Sequence, residues 1–118
     1  MPVENVLGVS ALESRWGESR FAVNGNNYFG LHYPAPHATG YLMTLRGNAR
    51  VATFASYADS ARSFAAVVSS FAPGVANPAG FAAALYNSGK FGVGEATYAR
   101  DVTRTILGLR PLVSRRRI

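Results

Sequence analysis

Val3-Glu4-Asn5-Val6-Leu7-Gly8-Val9-Ser10-Ala11-Leu12-Glu13-Ser14-Arg15-Trp16-Gly17 is the stretch on which the fold turns. Its pattern predicts a helix over 3–16 ended by Gly17. Apolar residues nearly encircle it, which places it centrally in a helical core. Each residue advances about 100° around the axis. Glu13 then shares a side with Val6, Val9, Ser10, Trp16 and Gly17, whereas Glu4, Arg15 and Glu18 project the other way. The helix has a polar face, and Glu13 is not on it. Desolvation by such neighbours raises a carboxyl pKa. A carboxyl kept protonated beside an indole suits proton donation to a glycosidic oxygen. The same placement equally suits a buried acid paired internally, with Arg20 or Arg62 as partner.

Outward from this helix, residues 20–37 read as loop: Asn24-Gly25-Asn26-Asn27, then Tyr28 to Tyr33, then Pro34 and Pro36. Residues 41–55 suit a short hairpin, with Tyr41–Leu45 and Arg50–Phe54 on either side of Arg46-Gly47-Asn48. Tyr57, Ala61, Phe64, Val68 and Phe71 recur at helical spacing and stop at Pro73-Gly74. Asn77-Pro78 starts the next helix, with Asn as cap and Pro in the first turn. That helix carries Phe81, Ala84 and Leu85 and closes at Gly89. A last helix runs from near Glu95 to about Gly108, with Tyr98, Val102 and Ile106 on one stripe. The expected fold class is α+β: a mainly helical domain with one small β-hairpin.

The chain has 118 residues, which suits one domain rather than two. Its 48% hydrophobic and 15% charged content argues for a packed core and against disorder. No apolar stretch is long enough for a membrane span. The absence of cysteine excludes a disulfide scaffold, a thiolate zinc site and a cysteine nucleophile. His32 and His37 sit in a Pro-containing loop without matching acids, so no metal site and no cofactor are expected. Of the formal net charge of +6, four positive charges come from Arg110, Arg115, Arg116 and Arg117, leaving the body at +2. Residues 110–118 therefore read as a basic, solubilising C-terminal tail on a 1–109 unit, not as a nucleic-acid site. Met1-Pro2-Val3-Glu4 runs straight into helical pattern without the layout of a signal peptide. An envelope role then calls for delivery by a secretion system, a phage particle or cell lysis.

Four blocks in order carry a family resemblance. Ala11 to Arg20 resembles the active-site helix of the bacterial and phage peptidoglycan-hydrolysing β-N-acetylglucosaminidases, the family of the flagellar rod-cap hydrolase domain and many autolysins. Asn26-Asn27-Tyr28-Phe29-Gly30-Leu31-His32 is similar to that family's Asn-Asn-x-Phe-Gly-Ile-Lys run. Phe54-Ala55-Ser56-Tyr57-Ala58-Asp59-Ser60 matches its stretch after the hairpin, and Phe81–Leu85, Gly89 and Tyr98-Ala99-Arg100 its closing helices. The resemblance spans about residues 3–107. It implies a lysozyme-like fold and cleavage of the β-1,4 bond after N-acetylglucosamine, with Glu13 as general acid and the peptidoglycan glycan strand as substrate. A lysin or a secreted antibacterial effector fits such a role, the latter with a cognate immunity protein plugging the cleft.

Two departures bear on mechanism. The family's second acid lies in the hairpin, where this chain reads Met43-Thr44-Leu45-Arg46-Gly47, and no acid lies between Glu18 and Asp59. An inverting glycosidase needs a base about 6.5–9.5 Å from the acid and a retaining one a nucleophile at about 5–5.5 Å. Asp59 and Glu95 both read as helix-start residues. The substrate's own N-acetyl oxygen is then the candidate nucleophile, positioned by a tyrosine. The family's Tyr-Ala-Thr-Asp-Pro-x-Tyr-Ala run is here Phe91 to Ala99, one residue longer and without the first tyrosine. Tyr98 is the surviving candidate, its other reading being a core residue. Trp16, Tyr28, Tyr33 and Tyr57 are candidates for sugar contact, since rings offer flat apolar faces with polar edges. Asn27 is either a hydrogen-bonding partner of an N-acetyl group or a clamp on its own loop. Two alternatives stand beside hydrolysis. One is a lytic transglycosylase or muramidase, whose usual Gly-Leu-Met-Gln run is absent; the other is a catalytically weak peptidoglycan-binding module.

Overall fold

A computed structural model describes residues 1–116, with side chains through Val113. The elements run α1 (Val3–Glu13), α2 (Arg20–Gly25), β1 (Gly40–Met43), β2 (Arg50–Thr53), α3 (Tyr57–Ser69), α4 (Pro78–Asn87) and α5 (Tyr98–Arg116). The domain is mainly helical α+β, with one antiparallel hairpin.

The helix starts follow their capping chemistry. Ser56 Oγ accepts from the Asp59 amide at 3.1 Å to open α3. Asn77 Oδ1 accepts from the Gly80 amide at 3.1 Å to open α4, with Pro78 in the first turn. Each satisfies an amide that has no partner within the helix. Asp59 also pairs with Arg62 at 2.7 Å, so it serves the α3 start as expected.

Helix α1 packs most extensively against α5. The two cross at Gly8, where an added Cβ would lie 2.4 Å from Ile106 Cγ1. Phe64 centres the aromatic core. It stacks on Phe29 at 4.6 Å between centroids and meets Phe91 edge-on at 5.6 Å. Val9, Leu85, Val102 and Ile106 are fully buried around it.

Four boundaries differ from the sequence-based expectation. Helix α1 ends at Glu13, not at residue 16, because Arg15 and Trp16 adopt φ of 50° and 58° before Gly17 at 83°. Ser14 Oγ bonds to the Ser10 carbonyl and accepts from the Gly17 amide at 2.8 Å, which holds this left-handed turn. Second, the expected 20–37 loop contains α2, capped by Ser19 and closed by Asn26 in the left-handed region. Third, the hairpin pairs only Gly40–Met43 with Arg50–Thr53. Its β2 strand also pairs on its other side with the loop, where Ala52 donates to Leu31 and Tyr33 donates to Arg50, both at 3.0 Å. Fourth, α5 begins at Tyr98 and continues past Gly108 to Arg116, through Pro111. The expected basic tail is thus helical over most of its length, and residues 117–118 lie outside the described ones.

Candidate active site

Glu13 is the last residue of α1, and three neighbours define its carboxyl group. Tyr98 is the first residue of α5 and only 2% exposed. Its hydroxyl donates to Glu13 Oε1 at 2.8 Å. Gly30, on the loop after α2, faces the other oxygen: an added Cβ would sit 2.8 Å from Glu13 Oε2. Gly30 also has φ of +66°, so the position demands glycine twice over. Glu95, three residues before α5 and exposed, adds a negative field.

The Glu13 pKa is raised. Burial dominates, the Tyr98 hydrogen bond opposes it, and the Glu95 charge reinforces it. Neither basic residue that might have paired with Glu13 does so. Arg62 pairs with Asp59, and Arg20 donates to the Met43 carbonyl at 2.7 Å. Burial and the Glu13 charge push Tyr98 well above the usual phenol range, so its hydroxyl keeps its proton. The Tyr98 ring rests on Gly92, where a Cβ would fall 2.2 Å from Tyr98 Cγ. Position 92 therefore leaves room for nothing larger.

Beyond Gly30 opens a cleft of about 350 Å³ lined by Gly30, His32, Pro34, Lys90, Phe91 and Val93 among others.

Among the described residues, none of the other sequence candidates hydrogen-bonds to the Glu13 carboxyl. Trp16 lies beyond the end of α1 and is 69% exposed. With Tyr28 and Tyr57 it lines a separate groove of about 270 Å³ on the Ser10 and Ser14 side of α1. Tyr57 also donates to Ser10 Oγ at 3.0 Å, tying α3 to α1. Tyr33 packs on Tyr41 of the hairpin, 5.2 Å between centroids. Asn27 is the loop clamp. Its amide nitrogen donates at 2.8 Å to both Leu31 and Ala52 carbonyls, and its oxygen accepts from the Phe29 and Leu31 amides at 3.2 Å. At 2% exposure it has no group left for a ligand, which removes it from sugar contact. It acts on the site indirectly, by fixing the turn that presents Gly30.

Sequence reasoning undervalued Gly30, Gly92 and Glu95. Gly30 lay inside a quoted motif without a role. Glu95 read as a helix start, and only the tertiary fold brings its charge to bear on Glu13. Among the described residues no group of three or more His, Asp or Glu could hold a metal ion. No described helix is long and apolar enough to cross a membrane.

A family model described as glucosaminidase, mannosyl-glycoprotein endo-beta-N-acetylglucosaminidase, matches residues 1–110. No curated protein sequence matches the chain. Among solved structures it is similar to one of a type VI secretion system effector–immunity complex from Pseudomonas protegens. The identity is 40%, the TM-score 0.81, and the match covers 93% of this chain and 77% of that one. An acid at the end of a core helix, held by a tyrosine 85 residues away, thus sits within the matched residues 1–110, and the chain belongs to the glucosaminidase family.

Proposed function

We propose that the protein is a peptidoglycan hydrolase that cleaves the β-1,4 bond after N-acetylglucosamine, with Glu13 as general acid. The observation that carries this reading is the Tyr98–Glu13–Gly30 arrangement. Tyr98 occupies Oε1, so the proton that Glu13 would give resides on Oε2, beside Gly30. Glu13 gives that proton to the glycosidic oxygen as the bond to C1 breaks. The 2-acetamido oxygen of the same sugar forms the new bond to C1 as the bond to the leaving oxygen breaks, while Tyr98 holds the Glu13 carboxyl in place. Water then opens this intermediate, returning a proton to Glu13. Such a route needs no second carboxylate and fits a hairpin that has none.

The likeness to the Pseudomonas protegens complex supports a role as an antibacterial effector delivered to the periplasm of a target cell and neutralised by an immunity protein. Mass spectrometry of digested sacculi tests the chemistry: reducing N-acetylglucosamine ends are expected, and anhydro-muramic ends would make the protein a lytic transglycosylase. Directed expression tests the role. Export to the periplasm should lyse cells and cytoplasmic retention should not; equal tolerance of both contradicts it.

A further inference from the structure

The hairpin carries a second feature, distinct from the Glu13 centre. Arg50 lies between two tyrosine rings, its guanidinium carbon 5.5 Å from the Tyr33 centroid and 5.4 Å from that of Tyr41. Tyr41 and Arg50 sit diagonally on the same face of the hairpin, fixed by the Tyr41↔Ala52 and Met43↔Arg50 register. Tyr33 is held there by the hydrogen bond its backbone N–H donates to the Arg50 carbonyl. Two rings and a backbone bond thus orient a side chain that is itself exposed.

Its charge is unanswered. Among the described residues no carboxylate lies within ion-pairing distance of Arg50, and no acid occurs between Glu18 and Asp59. Arg20, the neighbouring cation, is different: it is committed to the Met43 carbonyl and the Phe21 ring. The Arg50 group adjoins the cleft along the chain without lining it. His32 and Pro34, which flank Tyr33 in the chain, line the same cleft as Gly30.

We propose that Tyr33, Arg50 and Tyr41 form a subsite for a carboxylate of the peptides borne by peptidoglycan strands. The inference rests on the peptidoglycan reading above. A guanidinium presents paired N–H donors that match a carboxylate edge to edge, and stacking on rings leaves that edge available. A strand threaded past Glu13 carries such carboxylates at regular intervals, whereas its N-acetylglucosamine units carry no charge. The subsite selects peptide-bearing strands and acts on binding rather than on bond cleavage.

The test compares native sacculi with sacculi whose carboxylates have been amidated. Wild type should show a KM about 3- to 10-fold higher on the amidated polymer, with kcat retained. Arg50→Gln should show that higher KM on both polymers, so that the two changes do not add. Arg46→Gln, on the hairpin turn, should respond to amidation as wild type does, and melting curves verify that both variants fold. If wild type cleaves the two polymers with the same KM, hydrolysis stands and the subsite is overturned, leaving an acidic protein partner as the occupant of the platform. If wild type neither binds nor cleaves native sacculi, the peptidoglycan reading falls and the subsite with it.

Discussion

Burial raises the Glu13 pKa, the Tyr98 hydrogen bond lowers it, and burial prevails. A general acid works below its pKa, so activity should fall as pH rises through that of Glu13. Tyr98→Phe removes the contact that favours the charged form, and should move the alkaline limb of kcat/KM to higher pH while lowering its plateau. Glu95→Gln removes the repulsive charge and should move the limb to lower pH, by less because Glu95 is exposed. Opposite shifts in the two profiles are the expected signature. Gly30→Ala would bring a methyl to within 2.8 Å of Oε2. The carboxylate is the end of a flexible side chain and can swing away, so the fold should survive. Misplacing a catalytic group by about 1 Å costs on the order of 10²-fold. Turnover of sacculi should fall by about that factor while Gly30→Ala remains folded by circular dichroism.

At the scale of elements, the two helices that carry Glu13 and Tyr98 are joined where a glycine permits close approach. Gly8→Ala would place a methyl 2.4 Å from Ile106 Cγ1 and 3.1 Å from its backbone. Overpacking of this kind costs about 1–3 kcal/mol, read as a lower urea midpoint with unchanged m. Much of this level was legible. The Asn77 cap and the Tyr98/Val102/Ile106 stripe act through local chemistry, and local chemistry is what sequence displays. Glu13 stood out because it interrupts an apolar pattern. What was hidden depends on distant partners or rare backbone states. Helix α2 has six residues, too few for periodicity to register. Arg15 and Trp16 adopt left-handed φ that their residue types rarely take, so the helix ends three residues before the sequence pattern does. Asn27 offered two readings until its four hydrogen bonds chose between them.

For the whole molecule, 40 × 30 × 24 Å in extent, Glu13 opposes stability. Its pKa is raised on folding, so the folded chain binds more protons than the unfolded one above the ordinary value of 4.5. Stability is therefore fullest below that value and declines as pH rises through the folded pKa. Glu13→Gln cannot ionise and should melt above wild type at pH 7, with the difference shrinking toward pH 4, as measured by thermal scans. That pattern, a site residue held against the preference of the fold, accords with the usual trade between function and stability. The same variant gives the most direct measurement of the central claim, the release of reducing ends from purified sacculi by wild type and by Glu13→Gln side by side. Loss of the general acid should lower turnover by about 10²- to 10⁴-fold while sacculus binding persists. Equal lysis by the two proteins would contradict Glu13 as the acid.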